Sequence, residues 1–228
     1  MKKVYTFLRL IRERGLKKII LAGCSLLYDL YYDAKHGIDT YSWVPVNELD
    51  VEDSKKEHAV VYQATRVLPL RKLFKTLNFP KDYSFVDIGS GKGRVLLIAS
   101  EYGFEEVKGI EFSSQLTTIA NKNIAKYNQK TKSKTSFQVI NIDAMDYKIN
   151  DDEEVFFLYN PFDDVILKKV VDNISESLKR RHRRVWMIYA NAVHRKLIEK
   201  TMKIIRVEDF DFFGFDFVVY EVGLLKND

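Results

Sequence analysis

A single cysteine, Cys24, in 228 residues excludes a disulfide framework and any zinc site built on several thiolates. A reducing compartment, the cytoplasm, is the expectation. The four histidines (36, 58, 182 and 194) show no His-Glu-x-x-His pattern or other paired spacing, so no metal site is expected. Four prolines and ten glycines are too few for low-complexity chain. Long apolar runs are also missing: nothing reaches the ~18 residues of a membrane-spanning helix. The best stretch, Leu16 to Tyr32, is interrupted by Lys17, Lys18 and Asp29. Leu21-Ala22-Gly23-Cys24 reads like a lipoprotein cleavage site, but the apolar run before it is shorter than the roughly 7–15 residues of an export segment.

What is present argues for a folded core. Hydrophobic residues make up 46% of the chain, with 15 Phe and 13 Tyr, which excludes a disordered protein. The length suits one α/β domain with an extension. The net charge of +5 is unevenly placed: residues 1–20 carry seven basic residues against Glu13 alone, a net +6. The remaining 208 residues therefore sum to −1, and net charge gives no ground for a nucleic-acid partner.

Within that basic segment and just beyond it, Phe7, Leu8, Leu10, Ile11, Ile19, Ile20, Leu27, Leu30 and Tyr31 recur at approximately helical spacing. Two readings stand. The helix packs on the domain and solvates its basic face, or residues 1–33 lie on an anionic membrane as a basic amphipathic segment, at the inner face of that membrane. His36 to Thr40 reads as a turn, and the acidic stretch Asn47 to Glu57 as a linker or short helix. The expected division is a basic helical extension and linker over residues 1–58 and a catalytic domain over 59–228.

From residue 59 the pattern is regular. Val60 to Leu77 reads as a helix with Pro69 as a kink or break. Tyr83 to Ile88 is a buried-strand pattern running into Gly89-Ser90-Gly91-Lys92-Gly93, followed by an apolar helix. A dinucleotide fingerprint would require a third glycine at position 94, where Arg94 stands. A P-loop would require Gly-Lys-Ser/Thr, which Gly91-Lys92-Gly93 does not supply. The spacing is instead Asp-x-Gly-x-Gly-x-Gly, at Asp87, Gly89, Gly91 and Gly93.

These residues resemble motif I of the class I S-adenosylmethionine-dependent methyltransferases, in wording similar to a group of bacterial methyltransferases. The resemblance implies a Rossmann-like α/β fold over roughly residues 60–228. That fold is a seven-stranded, mostly parallel sheet with helices on both faces and the last strand antiparallel, here with an N-terminal helical extension. It implies S-adenosyl-L-methionine as cofactor, held by Asp87, Gly89, Ser90, Gly91 and Gly93. Glu111, ending the next strand, matches the carboxylate that accepts hydrogen bonds from both ribose hydroxyls; an ionised carboxylate is an acceptor-only group suited to a diol. A plain helix-capping role for Glu111 is the alternative, which Ser113 or Ser114 could equally fill. Asp143 matches the acid beside the adenine amino group, with Asp146 as competitor and a turn-forming role as the other reading. Tyr62-Gln-Ala-Thr65 is similar to an element that precedes motif I in some protein-lysine methyltransferases, where Tyr62 and Thr65 would reach the methionine moiety.

The fourth strand closes on Asn160-Pro161-Phe162, which resembles the Asn/Asp-Pro-Pro-Tyr/Phe motif of amine and amide N-methyltransferases. Asn160 and a carbonyl near Pro161 would accept hydrogen bonds from the acceptor's N–H, and Phe162 would stack on the substrate or face the sulfonium. With one proline and Tyr159 ahead of Asn160, the motif departs from that pattern, and an Asn-Pro turn is the plain alternative. The reading is a methyltransferase acting on a protein amino group, with small-molecule or nucleic-acid acceptors, or a non-catalytic cofactor-binding protein, as alternatives. Lys179 to Arg184 is a basic run where a helix is expected to end; cations there favour the helix dipole, so a solvated surface is the reading, with a phosphate or acidic-lipid contact as the alternative.

Overall fold

Apolar strand segments and amphipathic helices alternate along the chain, and the strands assemble into one seven-stranded sheet. The computed structural model describes residues 16–42, 44, 50, 64–159 and 163–223. Helix α1 (Leu16–His36) is followed by α2 (Val67–Leu77), β1 (Ser84–Ile88), α3 (Arg94–Tyr102), β2 (Glu106–Glu111), α4 (Ser114–Thr131) and β3 (Ser136–Asn141). Then come β4 (Glu153–Tyr159), α5 (Asp164–Arg180), β5 (Arg184–Ala190), α6 (Arg195–Thr201), β6 (Ile204–Phe212) and β7 (Phe215–Gly223). The strand order is β3-β2-β1-β4-β5-β7-β6. The first five strands run parallel, and β7 inserts between β5 and β6 antiparallel to both.

Alternation within each strand builds two cores. In β1 and β4, Phe85 and Phe157 face α2 and α3, while Val86, Ile88, Phe156 and Leu158 face the opposite layer with Leu167, Val171 and Ile174 of α5. Both faces are covered, as a parallel sheet requires. The seven-stranded, doubly covered expectation is met.

One helix boundary differs from the sequence reading. Helix α2 starts at Val67, so Pro69 lies in its first turn rather than at a kink. Proline is tolerated there because a first-turn N–H has no intrahelical acceptor. The helix carries no cap of its own from Arg66; the Val67 N–H instead donates to Asp29 Oδ1 of α1 at 2.9 Å. Two other starts follow local chemistry: Ser113 caps α4, and Asp163 caps α5 by accepting from Val165 and Ile166.

The basic run at the end of α5 is exposed except for half-buried Arg183, and Arg180 and Arg183 are also fastened to neighbouring chain. The Arg183 guanidinium donates to the carbonyls of Asn150, Glu153 and Ser177, and Arg180 Nε to Asp151 Oδ1 at 3.0 Å. These side chains tie the helix C-terminus to the turn before β4, and Arg183 satisfies a last-turn carbonyl.

Candidate cofactor site

In the sheet order the chain leaves β1 in one direction toward β2 and β3, and in the other toward β4 and β5. This reversal opens a crevice at the carboxyl ends of β1 and β4, where open α/β sheets bind ligands. The glycine loop leaves β1 at that point. Gly89, Gly91 and Gly93 all adopt left-handed backbone, at φ 83°, 53° and 85°, which side chains with a Cβ rarely accept. The loop is anchored on β2: the N–H groups of Gly89 and Ser90 both donate to the Ile110 carbonyl, at 2.9 and 3.0 Å. Gly109 makes this approach possible, since a Cβ there would lie 2.7 Å from Ser90 Oγ.

Glu111 closes the other side of the loop. Its carboxylate is 3% exposed and accepts from Gly91 N at 2.8 Å and Ser113 N at 3.0 Å. Burial pushes its pKa up to about 7, against the opposing effect of those backbone donors. Helix α4 does not depend on it for a cap, because Ser113 Oγ accepts from Leu116 N. The capping alternative is thus filled by Ser113. Asp87, also buried, is pushed well above the usual carboxylate range by burial and by the nearby Glu111 charge.

The remaining predicted positions are placed as follows. Ser90 is buried, with an Oγ that has no hydrogen-bond partner among the described residues. Asp143 follows β3; its Oδ1 accepts from Met145 N at 3.0 Å and its carbonyl from Asp146 and Tyr147, a turn-building pattern. Its competitor Asp146 is exposed. Thr65 is buried, and its carbonyl accepts from Arg94 Nη1 at 3.4 Å. Tyr62, Asn160, Pro161 and Phe162 lie outside the described residues. The preceding residue, Tyr159, rests against Phe215 with ring centroids 5.3 Å apart. Beyond the end of β5 lies an open cleft of about 470 Å³, lined by Asn191, Val193, Arg195, Asp209, Asp211 and Asp216 among others.

Sequence reasoning missed how the loop is braced from outside. Arg94, noted only as the residue that breaks a dinucleotide fingerprint, is 2% exposed. Its Nε donates to Thr40 Oγ1 at 2.6 Å and its Nη2 to Asp33 Oδ1 at 3.1 Å, while Nη1 lies 3.5 Å from Asp29 Oδ2. Lys92, equally buried, pairs with Asp39 at 3.0 Å and also donates to Ser42 Oγ. Asn123 of α4 joins both by bonding Asp39 N, Asp39 O and Lys92 O. Asp50 accepts from Ser113 Oγ, Ser114 Oγ and Gln115 N at the α4 N-terminus, where a negative charge meets the helix dipole. The available signal was Asp29 and Asp33, two acids four apart within the largely apolar stretch from Ile19 to Ala34, one of which was read as an interruption.

An adenosyl cofactor fits this site. The left-handed glycine loop leaves backbone close to the crevice, and a buried carboxylate and an orphaned serine hydroxyl stand beside it. Among the described residues no group of three or more His, Cys, Asp or Glu could hold a metal ion, and no helix is long and apolar enough to cross a membrane.

Comparison with known proteins agrees with this geometry. A family model described as "Histone methylation protein DOT1" matches residues 44–212. No curated protein matches the chain. Among solved structures, a Thermotoga maritima S-adenosylmethionine-dependent O-methyltransferase superposes with TM-score 0.57 at 12% identity, over 73% of this chain and 69% of that one. TrmN from Thermus thermophilus gives TM-score 0.53 at 11% identity, over 71% of this chain and 49% of its own. The Pyrococcus abyssi tRNA (uracil-54, C5)-methyltransferase, in complex with S-adenosyl-L-homocysteine, gives 0.50 at 12% identity, over 81% and 44%. The chain thus spans under half the length of the last two, and the three likenesses establish the fold alone.

Proposed function

Because the chain belongs to the DOT1 family of S-adenosylmethionine-dependent methyltransferases, we propose that it methylates a protein amino group. The family model is described as that of a histone methylation protein, which favours a protein acceptor. The observation that carries the nitrogen assignment is the sequence that continues from β4: the strand ends at Tyr159, at the carboxyl edge of the sheet, and the next residues in sequence are Asn160-Pro161-Phe162. The cleft beyond β5 supports a cationic acceptor segment, since its lining holds three aspartates against Arg195.

S-adenosylmethionine supplies an electrophilic methyl on a sulfonium. The residues of this chain then bind and align. The Gly89–Gly93 loop and Ser90 would hold the cofactor, Thr65 and Tyr62 its methionine end, Glu111 its ribose hydroxyls and Asp143 its adenine. The Asn160 side-chain carbonyl would accept a hydrogen bond from the acceptor's N–H and so orient the nitrogen. The ammonium form must first give a proton to solvent or a nearby carboxylate. Its lone pair can then take the methyl, the sulfur leaving as a neutral thioether. Phe162 would stack on the acceptor or face the sulfonium. Alignment of two reactants provides much of the acceleration in such a displacement.

Two experiments test this. Host lysate with its membranes, incubated with radiolabelled cofactor and purified enzyme, should yield label that is protease-sensitive and nuclease-resistant. Label released by nuclease, or extracted as a small molecule, overturns the protein assignment. Asn160→Ala should leave cofactor affinity within about twofold while lowering kcat on the labelled acceptor on the order of a hundredfold. Unchanged turnover removes Asn160 from the mechanism.

A further inference from the structure

Helix α1 has two faces of opposite character. Ser25, Asp29, Tyr32, Asp33 and His36 are buried against the domain, on one side of the helix. At 100° per residue, Ile20, Cys24, Leu27, Leu30 and Tyr31 fall on the other side. There Ile20 is 55% exposed, Leu27 67%, Leu30 45% and Tyr31 56%. Four of the nine large hydrophobic side chains exposed among the described residues therefore lie on a single stripe. Scattered exposed apolar residues need no explanation, but a contiguous stripe does.

The chain leading into this stripe has a net charge of +6 over residues 1–20, while the rest sums to −1. We infer that α1 docks the enzyme on an anionic lipid surface, with the Ile20–Leu27–Leu30–Tyr31 stripe in the headgroup boundary and the lipid phosphates neutralising the net +6 that the sequence carries over residues 1–20. The charge selects this occupant over a second copy of the chain. Two copies meeting along this stripe would bring two +6 segments together, whereas an anionic bilayer neutralises one. Tyrosine suits such a boundary, because its ring is apolar and its hydroxyl wet. The opposite face is already fixed to the catalytic domain through Asp29 and Asp33, so the helix can lie on lipid without leaving its place in the fold. The two readings of the N-terminal segment thus describe two sides of one helix. The inference is independent of which acceptor the enzyme methylates.

The test uses the full chain and vesicle flotation, comparing phosphatidylcholine alone with phosphatidylcholine mixed with phosphatidylglycerol. Binding is expected only to the mixed vesicles and should weaken as salt rises. Leu27→Asp should lower the partition coefficient on the order of tenfold, and Lys17→Glu with Lys18→Glu at least tenfold. Leu27 is exposed, so Leu27→Asp should keep its thermal melt and cofactor affinity, which separates lost docking from lost folding. No flotation of the wild-type chain, or equal flotation of Leu27→Asp, overturns the inference. A concentration-dependent dimer in sedimentation velocity that Leu27→Asp dissociates, without vesicle binding, assigns the stripe to self-association and overturns it as well.

Discussion

Arg94→Met should lower the melting temperature by roughly 10 °C. The side chain is almost wholly buried and is shared by Asp29, Asp33, Thr40 and the Thr65 carbonyl. Removing one partner of a buried pair leaves the other charge without compensation, at a cost of about 3–5 kcal/mol. In a chain of this length each kcal/mol is worth roughly 2–4 °C. Part of the loss is offset, because Asp29 keeps Arg66 at 2.8 Å and the Val67 N–H, and Asp33 keeps the backbone N–H groups of Thr40 and Tyr41. Pairing Arg94→Met with Asp33→Asn should recover part of the deficit, since the amide carries no orphaned charge. Differential scanning calorimetry of the three proteins checks this. Single and double variants melting alike would show that Arg94 and Asp33 are not energetically coupled.

Glu111→Ala should weaken cofactor binding by about two orders of magnitude or more, measured by calorimetric titration. Two hydrogen bonds to a charged acceptor are lost, each worth about 1.5–3 kcal/mol, and the Gly91 and Ser113 N–H groups that orient it lose their partner. The wild-type protein should also show a pH signature. With Glu111 near 7 in the absence of ligand, the group is partly protonated at neutral pH. Ribose hydroxyls donate to the ionised form, so affinity should rise with pH through 7 and binding should release protons there. Stability without cofactor should run the other way. A carboxyl raised in the folded state, from an unfolded value of about 4.3, stabilises the fold below that unfolded value. That contribution is lost as pH climbs through 7, and Asp87 acts in the same direction. Glu111→Gln should flatten both profiles. An unchanged pH dependence in that variant would place the titrating group elsewhere.

The parts of the fold that were legible are those where local pattern and tertiary role coincide. The run from Phe85 to Val95 carries its strand, its left-handed turns and its helix within eleven residues, and nothing distant alters that assignment. Glu111 was visible for a similar reason, standing at a strand end with a capping serine two residues on. The bracing of the loop was illegible, because it joins residues 54 and 61 apart in sequence. Asp29 within an apolar stretch looks like an interruption until Arg94 and Arg66 are seen across from it. The start of α2 failed on the same ground: its first N–H is capped by an acid 38 residues away, which no local window contains.

That long-range bracing also has a consequence in time. Asp33 emerges during synthesis 61 residues ahead of Arg94, a lag of roughly 3–12 s at about 5–20 residues per second. Within that interval Asp29 can already meet Arg66, made 37 residues after it, but Asp33 has no guanidinium until Arg94 is made. The two acids of α1 are therefore satisfied in order, Asp29 first and Asp33 when the glycine loop has been made.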